Sequence, residues 1–150
     1  MTSVELLQQN RTLVALVTQN LSEDQWTTIP SGHKNNILWN VGHIIVTQQL
    51  LHYRLAGQEM YVSNELVEAC RNGSNPADWT TPPDVGELMH LLADLPKKLA
   101  DDYHAGRLNA FRPYTTSTGI SLQTIEDSIA FNQFHEGVHL GIIMSLKKRV

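Results

Sequence analysis

The most informative stretch of this chain is residues 129–146, which read Ile-Ala-Phe-Asn-Gln-Phe-His-Glu-Gly-Val-His-Leu-Gly-Ile-Ile-Met-Ser-Leu. We predict that it belongs to a long helix running to the C-terminus. Its apolar residues would fall on nearly every side of that helix, and a helix that is apolar all round is buried all round. One face of a bundle cannot bury such a helix. The pattern therefore predicts a second contact, most simply with another copy of the chain in a homodimer.

Two further helices are predicted near the N-terminus from their apolar periodicity. The first spans residues 4–20, with Ser3 as its N-cap. The second spans residues 36–56 and ends at Gly57, a residue type favoured just after a helix C-terminus. A polar connection, residues 22–35, joins them. The apolar stripe predicted for the first helix consists of Leu6, Leu7, Leu13, Leu16 and Val17.

The second half of the chain supplies two more helices. One starts at Asp84, a good N-cap, and Pro96 should kink or interrupt it before Tyr103. The last helix is capped by Ser121 and contains the stretch quoted above.

The connections between these segments contain loop-forming residues. Residues 58–83 are rich in Asn, Gly and Pro and leave room for one short helix at 62–70, and residues 109–119 form a connection that can be extended. No segment shows sustained strand alternation, and no internal repeat is evident. The sequence therefore predicts an all-α, four-helix bundle in a single domain, residues 1–150.

Composition narrows the function classes. The chain has 150 residues, 41% of them hydrophobic and 17% charged, which is typical of one soluble globular domain. A net charge of −4 without a basic stripe argues against a nucleic-acid partner. No stretch approaches the ~20 apolar residues of a membrane span, and no signal peptide is recognisable, so we expect a cytoplasmic protein. The single cysteine, Cys70, excludes intrachain disulfides and multi-cysteine metal sites.

The last helix carries two histidines, His135 and His139, four residues apart. This spacing places both imidazoles on one face of a helix, one turn apart, as two ligands of one metal ion require. They lie in the most apolar part of the chain, where an imidazole is costly to bury unless it is hydrogen-bonded or metal-bound. A chance pair is still a serious alternative in a chain with seven histidines.

The same residues match the H-E-x-x-H pattern of zinc proteases. The metzincin extension of that pattern needs glycine and histidine where Ile142 and Ser145 stand. The other zincin class needs a downstream carboxylate, and no acidic residue follows His139. A protease is therefore not expected, and a third metal ligand must come from upstream.

Five histidines lie upstream. His43 borders a core-facing stripe of the second helix, whereas His52 lies about 180° round the same helix. His90 lies within the third helix and competes with His43. The other two, in a loop and after the third helix, are His33 and His104.

Two segments resemble the DinB/YfiT-like superfamily. They are Asn-Ile-Leu-Trp-Asn-Val-Gly-His-Ile-Ile at residues 36–45 and His-Glu-Gly-Val-His-Leu-Gly-Ile-Ile at residues 135–143. They carry that family's metal signature, W…GH in the second helix and HxxxHxGxI in the last. Element order and length agree along essentially the whole chain. One departure is Ile142, where family members frequently have glutamine.

The resemblance implies a bundle with up-down-down-up topology, a metal ion held by His43, His135 and His139, and a homodimer. A three-histidine site with open positions is typical of catalytic metal centres. All-nitrogen ligation suits Zn, Ni, Co, Mn or Fe equally. Related proteins use such a site for transfer reactions of low-molecular-weight thiols, or are described as metal-dependent hydrolases.

We therefore expect a metal-dependent enzyme of the thiol S-transferase or hydrolase type, acting on a small molecule. The alternative is a non-catalytic metal-binding or stress-response protein, whose site would be closed by a fourth protein ligand such as His90 or Glu136.

Four other residues have alternative interpretations. Glu136 is the general-base candidate, but it points ~100° away from its neighbouring histidine and is more simply a surface carboxylate or dimer contact. Tyr53 and Arg54 could line a cleft, although boundary packing and a solvated charge are the simpler interpretations. Cys70 has no sequence feature that would bring it to the metal-facing sides of the helices.

Overall fold

The computed structural model describes residues 2–150, and we name its elements in chain order. The α-helices are α1 (Ser3–Thr18), α2 (Glu23–Thr27), α3 (Ile37–Gln49), α4 (Asn64–Cys70), α5 (Val85–His104) and α6 (Ile125–Lys147). A π-helical turn, Leu50–Arg54, extends α3, and a 3-10 turn spans Pro76–Asp78. Strands β1 (Tyr114–Thr115) and β2 (Ser121–Leu122) form a small antiparallel hairpin in which Tyr114 faces Leu122.

The four long helices, α1, α3, α5 and α6, form the bundle. Helices α1 and α6 are parallel to each other, and α3 and α5 run in the opposite direction. This arrangement confirms the predicted all-α fold and the up-down-down-up order. The contacts that fix the directions are Asn10 with Gln133, Val17 with Lys147, Asn40 with His139, Leu51 with Ser128, and Tyr53 with Asp102.

The helix that is buried on all sides is α3, not α6. Every residue of α3 except Thr47 is buried, because α2, α4, α5 and α6 all pack against this helix. Within one chain α6 is not buried all round, as expected if a second contact covers its remaining face. Its outer face exposes Phe134, Val138 and Met144, which are 61%, 46% and 48% exposed. No helix in residues 2–150 combines the length and apolar character needed to cross a membrane.

Several boundaries differ from the predicted ones because neighbouring hydroxyl residues compete as caps. Thr2, not Ser3, caps α1 by accepting a hydrogen bond from the Glu5 backbone N–H. Thr124, not Ser121, caps α6, because Ser121 is paired in β2. The short helix predicted at residues 62–70 is present as α4, which starts two residues later at Asn64. The helical segment that begins with α3 stops before Gly57, which has a φ of +67°, as predicted.

The structure differs from two other local expectations, the polar connection before α3 and an interruption of α5. The polar connection at residues 22–35 contains a short helix, α2, that buries Trp26 in the core. Pro96 does not interrupt α5, which is continuous from Val85 to His104. Pro96 is itself buried, so packing of α5 against the bundle offsets the backbone hydrogen bond that proline cannot donate.

A buried ion pair joins α1 to α6. Arg11 and Glu136 are only 2% and 1% exposed, and two hydrogen bonds of 2.8 and 2.6 Å link their side chains. Arg11 also donates to the Ile44 carbonyl oxygen on α3, and Asn132 donates to the Glu136 carboxylate. One guanidinium therefore connects three of the four long helices.

Helices α3 and α4 approach closely at a glycine. A Cβ added to Gly42 would lie closer to the Cys70 Sγ than van der Waals contact allows, and 3.2 Å from the Cys70 Cβ. The glycine that precedes His43 therefore allows α4 to pack directly beside it. By contrast, nothing lies within 4 Å of a Cβ added at Gly141 on the exposed face of α6.

Substitution Arg11→Met should destabilise the metal-free protein by about 3–5 kcal/mol, because it leaves the Glu136 carboxylate buried without its partner. The double variant Arg11→Met/Glu136→Leu should recover more than half of that loss. Urea unfolding followed by circular dichroism measures both. The matched control is Arg71→Met, which removes an exposed ion pair with Glu68 and should cost less than about 1 kcal/mol. A double variant no more stable than Arg11→Met would contradict this account.

Substitution Gly42→Ala should destabilise the protein by about 1–3 kcal/mol through overpacking against Cys70. Adding Cys70→Ala removes the clashing sulfur and should restore most of the stability. Gly141→Ala is the control, and should stabilise α6 by up to about 1 kcal/mol because alanine favours helix and meets no neighbour. Thermal unfolding of the parent, the two single variants Gly42→Ala and Cys70→Ala, and the double variant measures the coupling between the two positions. Additive effects of the two substitutions would exclude a direct clash.

Candidate metal centre

Helices α3 and α6 bring three histidines together. His43 comes from the middle of α3, and His135 and His139 come from successive turns of α6. One ring nitrogen from each residue lies within 4.8 Å of the other two, so the three could hold a single metal ion. The ring centroids are 4.5–5.1 Å apart. His43 is buried, and the two histidines of α6 are half-buried.

The hydrogen bonds of His43 fix its tautomer. Its Nδ1–H donates to the Cys70 carbonyl oxygen at 2.7 Å, so Nε2 keeps its lone pair. Trp39 stacks on the imidazole with centroids 4.5 Å apart and the rings 10° from parallel. In metal sites, a hydrogen bond from the ring N–H that does not face the metal to a backbone carbonyl orients the histidine ligand. The hydrogen bond from His43 to Cys70 is of this kind.

His139 is held in the same way by Asn40. The Asn40 amide N–H2 donates to the Asn36 carbonyl oxygen and to the Asn35 side chain, so its oxygen faces His139. The Nδ1–H of His139 donates to that oxygen at 2.8 Å, which leaves its Nε2 free to bind.

His135 has a different environment. Its Nδ1 is buried and has no hydrogen-bond partner in residues 2–150. An imidazole nitrogen is costly to bury in this state, and a metal ion is one group that satisfies it. The orphaned nitrogen, the two oriented neighbours and the all-imidazole donor set together fit a divalent metal ion.

All three imidazoles are neutral at physiological pH. Burial lowers the pKa of His43, although the hydrogen bond to the Cys70 carbonyl opposes this effect. Burial, reinforced by His43 and Arg11, lowers the pKa of His135 to about 4. Burial, reinforced by the other two histidines, lowers the pKa of His139 to about 3. Because metal ligation requires deprotonated imidazole, the cluster is ready to bind without releasing protons.

The histidines lie in the wall of a cleft of about 800 Å³. Its apolar lining includes Trp39, Leu50 and Phe131, and the hairpin with the residues that precede it forms another wall. Arg54 and Arg112 are the charged residues of the lining, and no Asp or Glu contributes to it. Arg54 lines the cleft, one of the two alternatives for this residue, and it is also exposed, as expected for a solvated charge. Tyr53 does not reach the cleft, because it is fully buried and donates a 2.9 Å hydrogen bond to Asp102.

The competing ligands lie elsewhere. His90 is exposed on α5 and is not part of the cluster. His52 is fully buried but points away from the cluster, as its position on the helix predicted. Glu136 is neither a surface carboxylate nor an exposed dimer contact, because its carboxylate is buried against Arg11 and Asn132.

Cys70 lies closer to the cluster than its sequence context suggested. Its backbone carbonyl supports His43, and its side chain packs against Gly42. The thiol is fully buried, and this burial raises its pKa to about 12. The residue therefore positions a histidine and is not a ready nucleophile, since only a thiolate attacks efficiently.

Two residues of the site were missed in the sequence. Asn40 had a usable signal, because a polar side chain in an otherwise apolar helix, one turn from His43, is a candidate partner for a ligand. Arg112 had no such signal in the sequence, because it lies in the irregular connection between α5 and the hairpin and only the fold brings it to the cleft.

A comparison with curated proteins finds no match. The family model of the DinB superfamily matches residues 6–143, a region that begins in α1, ends in α6 and includes all three clustered histidines. This match agrees with the topology of the bundle and with the two histidine motifs, and it establishes that the chain belongs to the DinB superfamily.

Proposed function

We propose that the chain binds one divalent metal ion through His43, His135 and His139 and uses it as a metal-dependent enzyme on a small molecule. The observation that carries the proposal is the convergence of three neutral imidazoles, with ring nitrogens within 4.8 Å of one another, in the wall of a large cleft. The ion could be Zn, Ni, Co, Mn or Fe, all of which accept imidazole nitrogen.

A catalytic role is favoured over a structural one by the absence of a fourth ligand. The cluster found in the described residues contains three histidines and no carboxylate or thiolate. Structural zinc sites are normally closed by four protein ligands, whereas catalytic sites keep a position for water or substrate. Here that position would face the cleft. This argument disfavours the non-catalytic alternative.

A bound divalent ion would act as a Lewis acid and lower the pKa of a thiol or water that binds to it. The protein's own residues supply orientation and a partly dry environment. Asn40 and the Cys70 carbonyl hold two imidazoles in position, and Trp39, Leu50 and Phe131 limit the access of water.

Transfer of a thiol is favoured over hydrolysis by the lining of the cleft. Metal-dependent hydrolysis commonly uses a carboxylate as general base, and no carboxylate lines this cleft. Glu136 cannot easily take that role while it is paired with Arg11. A thiol activated as thiolate is already a nucleophile and needs no further base. We therefore favour a low-molecular-weight thiol as the second reactant.

Reconstitution with Zn²⁺ should load one metal ion per chain. Variants His43→Ala, His135→Ala and His139→Ala should each lose most of the bound metal, and Asn40→Ala should bind it about 10–100-fold more weakly because His139 loses its orienting partner. His90→Ala is the matched control and should keep full metal content. Elemental analysis after dialysis, with circular dichroism to verify folding, gives the result. Full retention of metal by His43→Ala would refute the assignment.

Thiol transfer to an alkylating acceptor, followed as loss of free thiol, should depend on the metal and not on Cys70. EDTA should abolish turnover and added Zn²⁺ should restore it. The variant Cys70→Ala should keep turnover within a few-fold of the parent, because the buried thiol has a pKa of about 12. Loss of turnover in Cys70→Ala with metal still bound would show that a protein thiol is the nucleophile.

The outer face of α6 is proposed as the interface of a symmetric homodimer. Phe134, Val138 and Met144 are exposed along it, and Gly137 and Gly141 between them leave room for a partner helix. A contiguous apolar stripe of this kind on one helix face is typical of an association site.

Sedimentation equilibrium should give twice the chain mass of 16.9 kDa at micromolar concentration. Val138→Asp should shift the protein to monomer, since it places a charge in the interface. Ile120→Asp, at a residue of the hairpin with similar exposure (43% against 46%), should remain dimeric. A monomeric parent protein would exclude the dimer.

A further inference from the structure

We infer that the cleft takes an elongated substrate with an oxyanion at one end, which Arg54 and Arg112 bind while the reacting end lies at the histidines. This inference rests on the proposed function, and it adds the chemical class and the shape of the substrate. It follows from three features: the charge of the cleft, the position of its charged end and the nature of the surface between the two ends.

The charge of the cleft is opposite to that of the whole protein. The chain has 15 acidic and 11 basic residues, yet the charged side chains of the lining are two arginines. Three of the other four arginines have carboxylate partners, the exception being Arg149 near the C-terminus: Arg11 pairs with Glu136, Arg71 with Glu68 and Arg107 with Asp102. Arg54 and Arg112 form no ion pair with any carboxylate in residues 2–150.

The backbone brings the two arginines to the same end of the cleft. The Arg112 backbone N–H donates to the Leu55 carbonyl oxygen at 2.9 Å, which attaches the segment before β1 to the end of the π-helical turn. The Arg112 guanidinium also lies 3.4 Å from the Arg54 carbonyl oxygen. Guanidinium groups that lie at the same end of a cleft and have no carboxylate partner are well suited to bind a carboxylate or phosphate.

The distance between the two ends requires a long ligand. Arg54 follows His43 by about three helical turns, which is ~16 Å along the helix axis. Between them the lining contains Thr47, Leu50 and Leu51, and Phe131 lies one turn before His135 on α6. Even an arginine side chain extended fully towards the histidines, ~7 Å from Cα to guanidinium, would leave a gap of several ångströms of mostly apolar surface. A substrate that spans it needs an apolar middle.

Two matched probes test the inference by calorimetry on the Zn²⁺-loaded protein. They are 6-mercaptohexanoate and 6-mercaptohexan-1-ol, which share the thiol and the chain length and differ in the charge of the far end. We expect the carboxylate to bind about tenfold more tightly than the alcohol, and this advantage to shrink at high salt. The double variant Arg54→Gln/Arg112→Gln should abolish the advantage without changing metal content or binding of the alcohol.

The control variant is Lys148→Gln/Arg149→Gln, which removes two positive charges from exposed residues near the C-terminus. It should leave the preference for the carboxylate over the alcohol within twofold of the parent value. Equal affinity of the two probes for the parent protein would overturn the inference. So would a tenfold preference that survives in the Arg54→Gln/Arg112→Gln variant.

A second titration separates this inference from the metal centre. Octanoate and octyl phosphate, which have no thiol, are titrated into EDTA-treated protein. Binding of either that depends on the two arginines supports the oxyanion site even if no metal binds to the histidines, and comparison of the two shows which oxyanion is preferred. If neither anion binds detectably and neither thiol binds the Zn²⁺-treated protein, both proposals fall. If 6-mercaptohexan-1-ol binds the Zn²⁺-loaded protein but binding of the anions does not depend on the two arginines, the oxyanion site is refuted and the metal centre is not.

Discussion

The ion pair between Arg11 and Glu136 fixes the orientation of α6, and the metal centre depends on that orientation. Glu136 lies between the two histidines of α6 in sequence, and its carboxylate is held against α1 by two short hydrogen bonds. Because successive residues of a helix point ~100° apart, a carboxylate fixed towards α1 sets the direction of His135 beside it. The same guanidinium donates to the Ile44 carbonyl, one residue beyond His43 on α3. One buried contact therefore sets the relative positions of all three histidines.

This arrangement concentrates polar groups in a part of the bundle that could have been apolar. Gln48, Gln49, His52, Ser128 and Asn132 are fully buried together with the ion pair. Burial lowers the pKa of His52 to about 3, although an interaction with the Ser128 backbone opposes this effect. Such groups reduce stability relative to an apolar core. The two apolar clusters that flank them contain most of the leucine and isoleucine of the bundle, and their packing offsets this cost.

Local spacing predicted the long helices and the pair His135 and His139, whereas the choice of His43 over His90 came from the family resemblance. The inner face of α1 was harder to predict. It consists of Leu7, Arg11, Val14 and Thr18, whereas Leu13 and Leu16, which were assigned to the apolar stripe, are exposed. Arg11 is an inner residue only because Glu136 meets it from a helix more than a hundred residues away, and no local pattern contains that information. The cleft is a similar case, since only the fold brings Arg54 and Arg112 together. The π-helical turn at Leu50–Arg54 also interrupts the helical periodicity from which the direction of Arg54 could have been predicted.

Charge balance connects the proposed centre with the proposed substrate. Three neutral imidazoles contribute no negative charge, so a divalent ion bound to them keeps its full charge between side chains that are buried or half-buried. The two guanidinium groups of the lining, Arg54 and Arg112, add positive charge at the exposed end of the cleft. The nearest carboxylate, Glu136, cannot compensate for it, because Arg11 neutralises that group on the far side of the histidines. In a medium of low dielectric constant such an excess of positive charge is unfavourable unless an anion accompanies it. A thiolate at the metal and an oxyanion at the arginines would supply negative charge at both ends of the cleft, which the protein itself does not provide.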